Sequence, residues 1–247
     1  MAFAEGVDYS FDRPSLSALK SAGKAFCMRY HGAGTSNKWI TKTEAAAIHA
    51  MGLAVVALCE GAEGDALNGY AQGQAHARAA DAGWFSVGLP NDRPIYFAVD
   101  FDMQVSQRPA VAAYLNGCAS VIGANRVGVY GGIKCVDWAY QNRLAAWFFQ
   151  TYAWSGGAWA AHTHVQQYSN NHIIGGGAVD YDRAMVADYG QWPNAVAAAG
   201  AAVGSVAPIV TAGPWDYTGV LAGITSDLQG AAGVLSGQAG FINALRG

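Results

Sequence analysis

Apolar and polar residues alternate in blocks along the first 190 positions. Runs short enough for strands occupy residues 6–10, 25–30, 53–59, 93–102, 126–131, 146–152, 164–168 and 178–180. Their near-continuous apolar content suits strands covered on both faces. Segments with helical spacing lie between most of them. Pro14 opens one that runs to about residue 22, as proline does in a first helical turn. Thr41 and Glu44 form a capping box ahead of Ala45, Ala46, Ala47 and Ile48, and Gly52 stops that helix. Residues 68–82, 108–122 and 136–144 complete the set. Strand and helix alternating about eight times predict an α/β chain folded as a (β/α)8 TIM-type barrel over residues 1–190. The short sixth-to-seventh connection, rich in Gly and Trp, is where that barrel is expected to be irregular.

Chemistry in such a barrel gathers at the carboxyl ends of the strands. The sharpest signal there is the Pro94-led apolar run that ends in Asp100-Phe101-Asp102. Side chains alternate along a strand, so Asp100 and Asp102 are expected on one side, with Val99 and Phe101 on the other. Two such carboxyls can divide labour, one donating a proton while the other stays ionised. The bland alternative is that Asp102 caps the following helix and Asp100 alone is buried. Glu60, at the end of the third strand, is a further acid. Asp8, Tyr30, Tyr130, Gln150, Tyr152, Gln167, Tyr168 and Asp180 are the remaining polar or aromatic strand-end residues, and together they would ring one pocket. Aromatic faces stack on sugars while carboxylates and amides bind hydroxyls. A single strand-end aromatic is more often core, so the saccharide reading rests on their coincidence.

Composition changes the picture at the carboxyl-terminal end. Hydrophobic residues make up 52% of the 247-residue chain and charged ones 13%, about half the usual charged share. From Gln191 onward only Asp216, Asp227 and Arg246 are charged. Residues 191–214 read as an Ala/Gly-rich linker or arm. Residues 215–247 read as a helical tail, with Leu221, Ile224, Leu228, Ala231, Leu235, Gln238, Ile242 and Leu245 at coiled-coil spacing. Three roles compete for it: contact in a homo-oligomer or larger assembly, packing on the barrel, and membrane insertion, against which its Gln, Ser and Asn content argues.

The formal net charge of −3 and the absence of a Lys/Arg run leave no nucleic-acid footprint. Cys27, Cys59, Cys118 and Cys135 lack metal or disulfide spacing, and Cys27 and Cys59 read as buried free thiols. His162 and His164 lack a third ligand, so neither a metal nor a cofactor is expected. The N-terminus lacks a basic region followed by an apolar stretch, so synthesis and folding in the cytoplasm without a signal peptide are expected.

Several of these motifs also carry a resemblance. Residues 6–10, 96–102, 128–131, 167–169 and 179–180 resemble, in order, the motifs of glycoside hydrolase family 25 muramidases. They are closer still to their glycoside-hydrolase-like relatives catalogued as domain of unknown function 1906. The likeness covers roughly residues 4 to 190. It implies a modified (β/α)8 barrel directed at bacterial wall polysaccharide, with Asp8 as a site carboxylate, Asp100 as an electrostatic or water-orienting partner and Asp180 on the floor. The muramidase pattern wants Glu, the general acid, two positions after Asp100, where this chain has Asp102. The shorter carboxyl falls about 1 to 1.5 Å short, enough to cost about 100-fold. Either the pocket compensates, Glu60 supplies the acid, or hydrolysis is lost and binding kept. The resulting expectation is a peptidoglycan-directed protein that is virion-associated or released at lysis. The alternatives are an inactive saccharide-binding or structural subunit of a phage tail, and a protein that acts on membranes through its tail.

Overall fold

In the computed structural model the described residues are 2–90 and 92–193. The expected arm and helical tail lie outside them, apart from residues 191–193. Eight strands close into one barrel in chain order. They are β1 (Ala4–Asp8), β2 (Phe26–Tyr30), β3 (Ala54–Cys59), β4 (Ile95–Ala98), β5 (Val127–Gly131), β6 (Trp147–Thr151), β7 (Val165–Ile174) and β8 (Gly177–Ala184). The helices are α1 (Leu16–Ser21), α2 (Lys42–Ala50), α3 (Gly69–Val87), α4 (Arg108–Ile122) and α5 (Ile133–Gln141).

Two features depart from a regular eightfold repeat. Among the described residues the five α-helices fall between β1 and β6, while a loop joins β6 to β7 and a tight turn joins β7 to β8. Moreover β8 runs antiparallel to both neighbours, β7 and β1, whereas the other pairings are parallel. A two-residue turn at Gly175 and Gly176, both with positive φ, forces that reversal, because a parallel return needs a long crossover.

Period-two alternation sorts the strand residues into two layers. Phe26, Met28, Tyr30, Val56, Leu58, Tyr96, Tyr130, Phe149, Val165 and Ala184 fill the interior as one cluster. The residues between them, such as Val55, Ala57, Phe97 and Val129, face the helices in a second cluster. Large rings inside need small neighbours. A Cβ on Gly6 would lie 2.3 Å from the Phe26 ring, and one on Gly128 2.6 Å from the Tyr96 ring. The segment after β8 seals the lower end. Tyr96 donates to the Tyr189 carbonyl at 2.9 Å, and Trp192 exchanges two backbone hydrogen bonds with Val55.

The Thr41 cap forms as predicted, its hydroxyl accepting from the Glu44 amide. Glu44's side chain turns instead to fully buried Arg29 at 2.7 Å, to Arg13 and to the Tyr9 hydroxyl. Arg29 also donates to the carbonyls of Tyr9 and Lys38, so a charge that burial alone would forbid is fully compensated. All four cysteines are buried free thiols. Among the described residues no helix is long and apolar enough to cross a membrane.

Candidate active site

Asp8 is the last residue of β1 and points into the barrel, where only 4% of it is exposed. Neighbouring strands bring it two donors. The Tyr30 hydroxyl donates to Oδ1 at 2.8 Å, and the Gln167 amide nitrogen donates to Oδ2 at 2.7 Å. Tyr130 donates to the Gln167 carbonyl oxygen at 2.9 Å, which fixes the amide with its nitrogen toward the acids. That nitrogen also approaches Asp180 Oδ2 at 3.4 Å, and Asp180 Oδ1 accepts from the Asn171 backbone at 2.9 Å. Asp180 lies within β8, where that strand begins to pair with β1, rather than at a strand's carboxyl end. It reaches the same mouth because β8 is reversed, which pairs Asp180 in register with Asp8. A cavity of about 200 Å³ opens over these groups, lined by Asp8, Ser10, Tyr30, Asn171 and Asp180 among others.

Burial pushes the Asp8 carboxyl up to about 7, helped by the charges of Asp180 and Glu60 and opposed by the Gln167 and Tyr30 hydrogen bonds. Burial likewise raises Asp180, against the Asn171 amide and His172. Asp100 lies two residues past β4 and is half-buried. Burial, then Glu60 and Glu63, push it up to about 6, while Lys38 pulls it down. Lys38 forms an ion pair with Glu60. Tyr130 feels the charges of Asp100, Asp8 and Glu60, so these acids share one electrostatic environment. Carboxyls raised toward neutrality in this way are suited to acid and base work.

Other candidates sit elsewhere. Asp102 does not work beside Asp100 as a strand pair, since β4 ends at Ala98; both its oxygens are held by Lys134 of α5, at 2.9 and 3.2 Å. Gln150 is buried on the outer face, where its amide binds Ser155, the Ala158 carbonyl and the Ala160 amide, so it holds the β6–β7 loop. Tyr168 follows inward Gln167 and so faces out, its hydroxyl on Glu5 at 2.6 Å and its ring beside Arg183. Tyr152 lies past β6, largely exposed, with its backbone amide on the Gln167 carbonyl.

Sequence reasoning missed Lys38, Asn171 and the wholly buried Asp182. Asp182 follows Asp180 with the same one-residue gap that drew attention to Asp100 and Asp102, and that spacing was the available signal. Among the described residues no group of three or more His, Cys, Asp or Glu side chains is arranged to hold a metal ion.

A family model described as an Rv2525c-like, glycoside hydrolase-like domain matches residues 17–186. The candidate peptidoglycan hydrolase Rv2525c of Mycobacterium tuberculosis is 31% identical over 199 residues, which cover 75% of this chain and 82% of that protein. A crystal structure of the Tat-secreted M. tuberculosis protein Rv2525c with L-tartrate superposes with a TM-score of 0.74 at 27% identity, over 77% of this chain and all of that one. The autolysin LytC of Streptococcus pneumoniae, solved with a synthetic peptidoglycan ligand, shares the fold at a TM-score of 0.53 and 13% identity, over 73% of this chain and 46% of that one. Secretion of Rv2525c overturns one expectation. That relative is Tat-secreted, so the expected synthesis in the cytoplasm without a signal peptide, with association to a virion or release at lysis, no longer follows.

Proposed function

This chain belongs to the Rv2525c-like, glycoside hydrolase-like family, and from that premise we propose that it binds bacterial peptidoglycan and cleaves glycosidic bonds in it. The observation that carries the reading is the buried Tyr30–Asp8–Gln167–Tyr130 network at the mouth it shares with Asp100. A carboxyl held by two directed donors and still protonated near neutrality is a costly arrangement for structure alone, and such groups mark functional sites.

Asp8 keeps its proton to the higher pH, so it is the donor to the leaving glycosidic oxygen. Asp100, ionised above about 6, is the partner that steadies positive charge on the sugar or orients a water. Lys38 and Glu60 set the field around Asp100. The shortened acid at Asp102 is then immaterial, because Lys134 occupies it.

Release of reducing sugar from purified cell wall tests this directly. Asp8→Asn and Asp100→Asn each lower release at least about 100-fold, the usual scale for loss of a positioned proton-transfer group, whereas Asp102→Asn stays within a few-fold of the parent. Equal release from all variants would remove Asp8 and Asp100 from the chemistry. A second reading, a saccharide-binding protein without hydrolysis, draws on the exposed Lys134–Asp102 ion pair, which stands where muramidases keep their acid. It requires wall binding that Asp8→Asn weakens, with no sugar released by the parent chain.

A further inference from the structure

We propose that Asp182 is a positioning residue that holds a proton in the barrel floor, one layer below Asp8, and so limits the charge against which Asp8 must ionise. The inference rests on the reading above that Asp8 works on substrate.

The placement follows from register. On β8, Asp180, Asp182 and Ala184 share the inward phase, and Ala184 belongs to the interior cluster. Asp182 pairs with Gly6 on β1, and Asp180 with Asp8. Asp182 and Asp8 are thus diagonal neighbours on adjacent strands, within reach of each other. On its other side Asp182 pairs with Gln167, whose amide nitrogen is already directed at Asp8 and Asp180.

The consequence is a carboxyl with 0% exposure and no hydrogen-bond partner for either oxygen among the described residues. The groups acting on it are Asp8 and Glu5 from β1, Asp180 from its own strand, and Lys24. Cys27 of β2 also feels its charge. Lys24 is the one cation among them, and it is engaged elsewhere, with its ammonium 3.5 Å from Glu5 and 3.8 Å from the centre of the outward-facing Tyr181 ring. Around Asp8 itself stand the Tyr30 hydroxyl, Asp180 and Glu60. Among the described residues no donor or cation is left to satisfy an ionised Asp182.

An ionised carboxylate without donor or counter-ion is the costliest state such a group can adopt, and protonation removes that cost. Burial, Asp8 and Asp180 all act in that direction, with Lys24 opposing. With Asp182 neutral, Asp8 ionises against one fewer negative charge.

The test is the pH dependence of folding, which needs no substrate. The full chain and its Asp182→Asn variant are unfolded in denaturant between pH 4 and pH 8. An Asp ionised in the unfolded chain above about 4 but protonated in the fold weakens folding tenfold per pH unit. The folding constant of the variant relative to the parent therefore rises about tenfold per pH unit from roughly pH 4 to pH 7. A purely structural role would offset the two curves equally at every pH, and parallel curves overturn the proposal. Should the variant not fold, the parent is read by infrared spectroscopy at pH 8. A protonated-carboxyl stretch that persists there supports the proposal, and its absence overturns it. Loss of wall cleavage with the tenfold slope intact would sink the hydrolase reading alone, and cleavage with parallel curves would sink this one alone.

Discussion

Asp8 shows which force wins at the level of one side chain. Two donated hydrogen bonds favour its charged form, yet burial and Asp180 outweigh them and lift it to about 7. If Asp8 gives the proton and Asp100 must be ionised, the rate of wall cleavage is bell-shaped in pH, rising through about 6 and falling through about 7. Tyr30→Phe removes a donor that stabilises charged Asp8, so the alkaline limb moves to higher pH. Asp180→Asn removes a repulsive charge and moves it lower. A pH profile of kcat/KM checks both, and limbs unmoved in either variant would exclude Asp8 as the acid.

Folding carries the same sign. Below about 4 these acids are protonated whether folded or not. Above it the unfolded chain releases protons that the fold retains, so stability falls as pH rises from about 4 toward 7. Denaturant midpoints at pH 5 and pH 8 test that order. Asp8, Tyr30, Tyr130, Gln167 and Asp180 were legible in the sequence as polar residues at strand ends. Gln150 and Tyr168 misled because strand phase was not enforced. Gln167 and Tyr168 are consecutive and cannot both face inward, and Phe149 takes the inward phase that Gln150 lacks.

Strand β8 is the element whose position was legible and whose direction was not. Its apolar-acidic pattern marks a strand, but patterning is blind to polarity along the chain, and only the glycine turn before it demands a hairpin. The missing late helices follow from the same cause, since neither a hairpin nor the Gly-rich loop before β7 needs one. Helix α2 is held by its electrostatics. Glu44 joins Arg29, Arg13 and Tyr9 across β1, β2 and the first loop. Glu44→Ala strands the buried Arg29 charge and costs about 3 to 5 kcal/mol, readable by denaturant titration. A loss below about 1 kcal/mol would show that Arg29 finds a substitute. Gly6→Ala drives a methyl into the Phe26 ring and costs about 1 to 3 kcal/mol by overpacking, with Phe26→Leu expected to relieve part of it.

At the scale of the molecule, the closed ring and the family were readable because apolar blocks recur at even intervals and a handful of short motifs keep their order. The barrel's lower end is sealed by the Tyr189 carbonyl on Tyr96 and by Trp192 on Val55, so all the described elements of the ring precede residue 194. A chain ending at Pro193 is therefore expected to keep one cooperative thermal transition in calorimetry. Loss of that transition would mean that later residues are integral to the barrel.

The reversed final strand has a consequence in time as well as in space. Asp8 is made well before the amide that grips it, which is 159 residues further along the chain, and Asp180 comes later still. Contacts of such separation form slowly and late. A polypeptide whose eighth strand has not yet joined the ring holds Asp8 without the enclosure and the Asp180 charge that raise it. Sealing the ring is thus the step that completes the surroundings of Asp8.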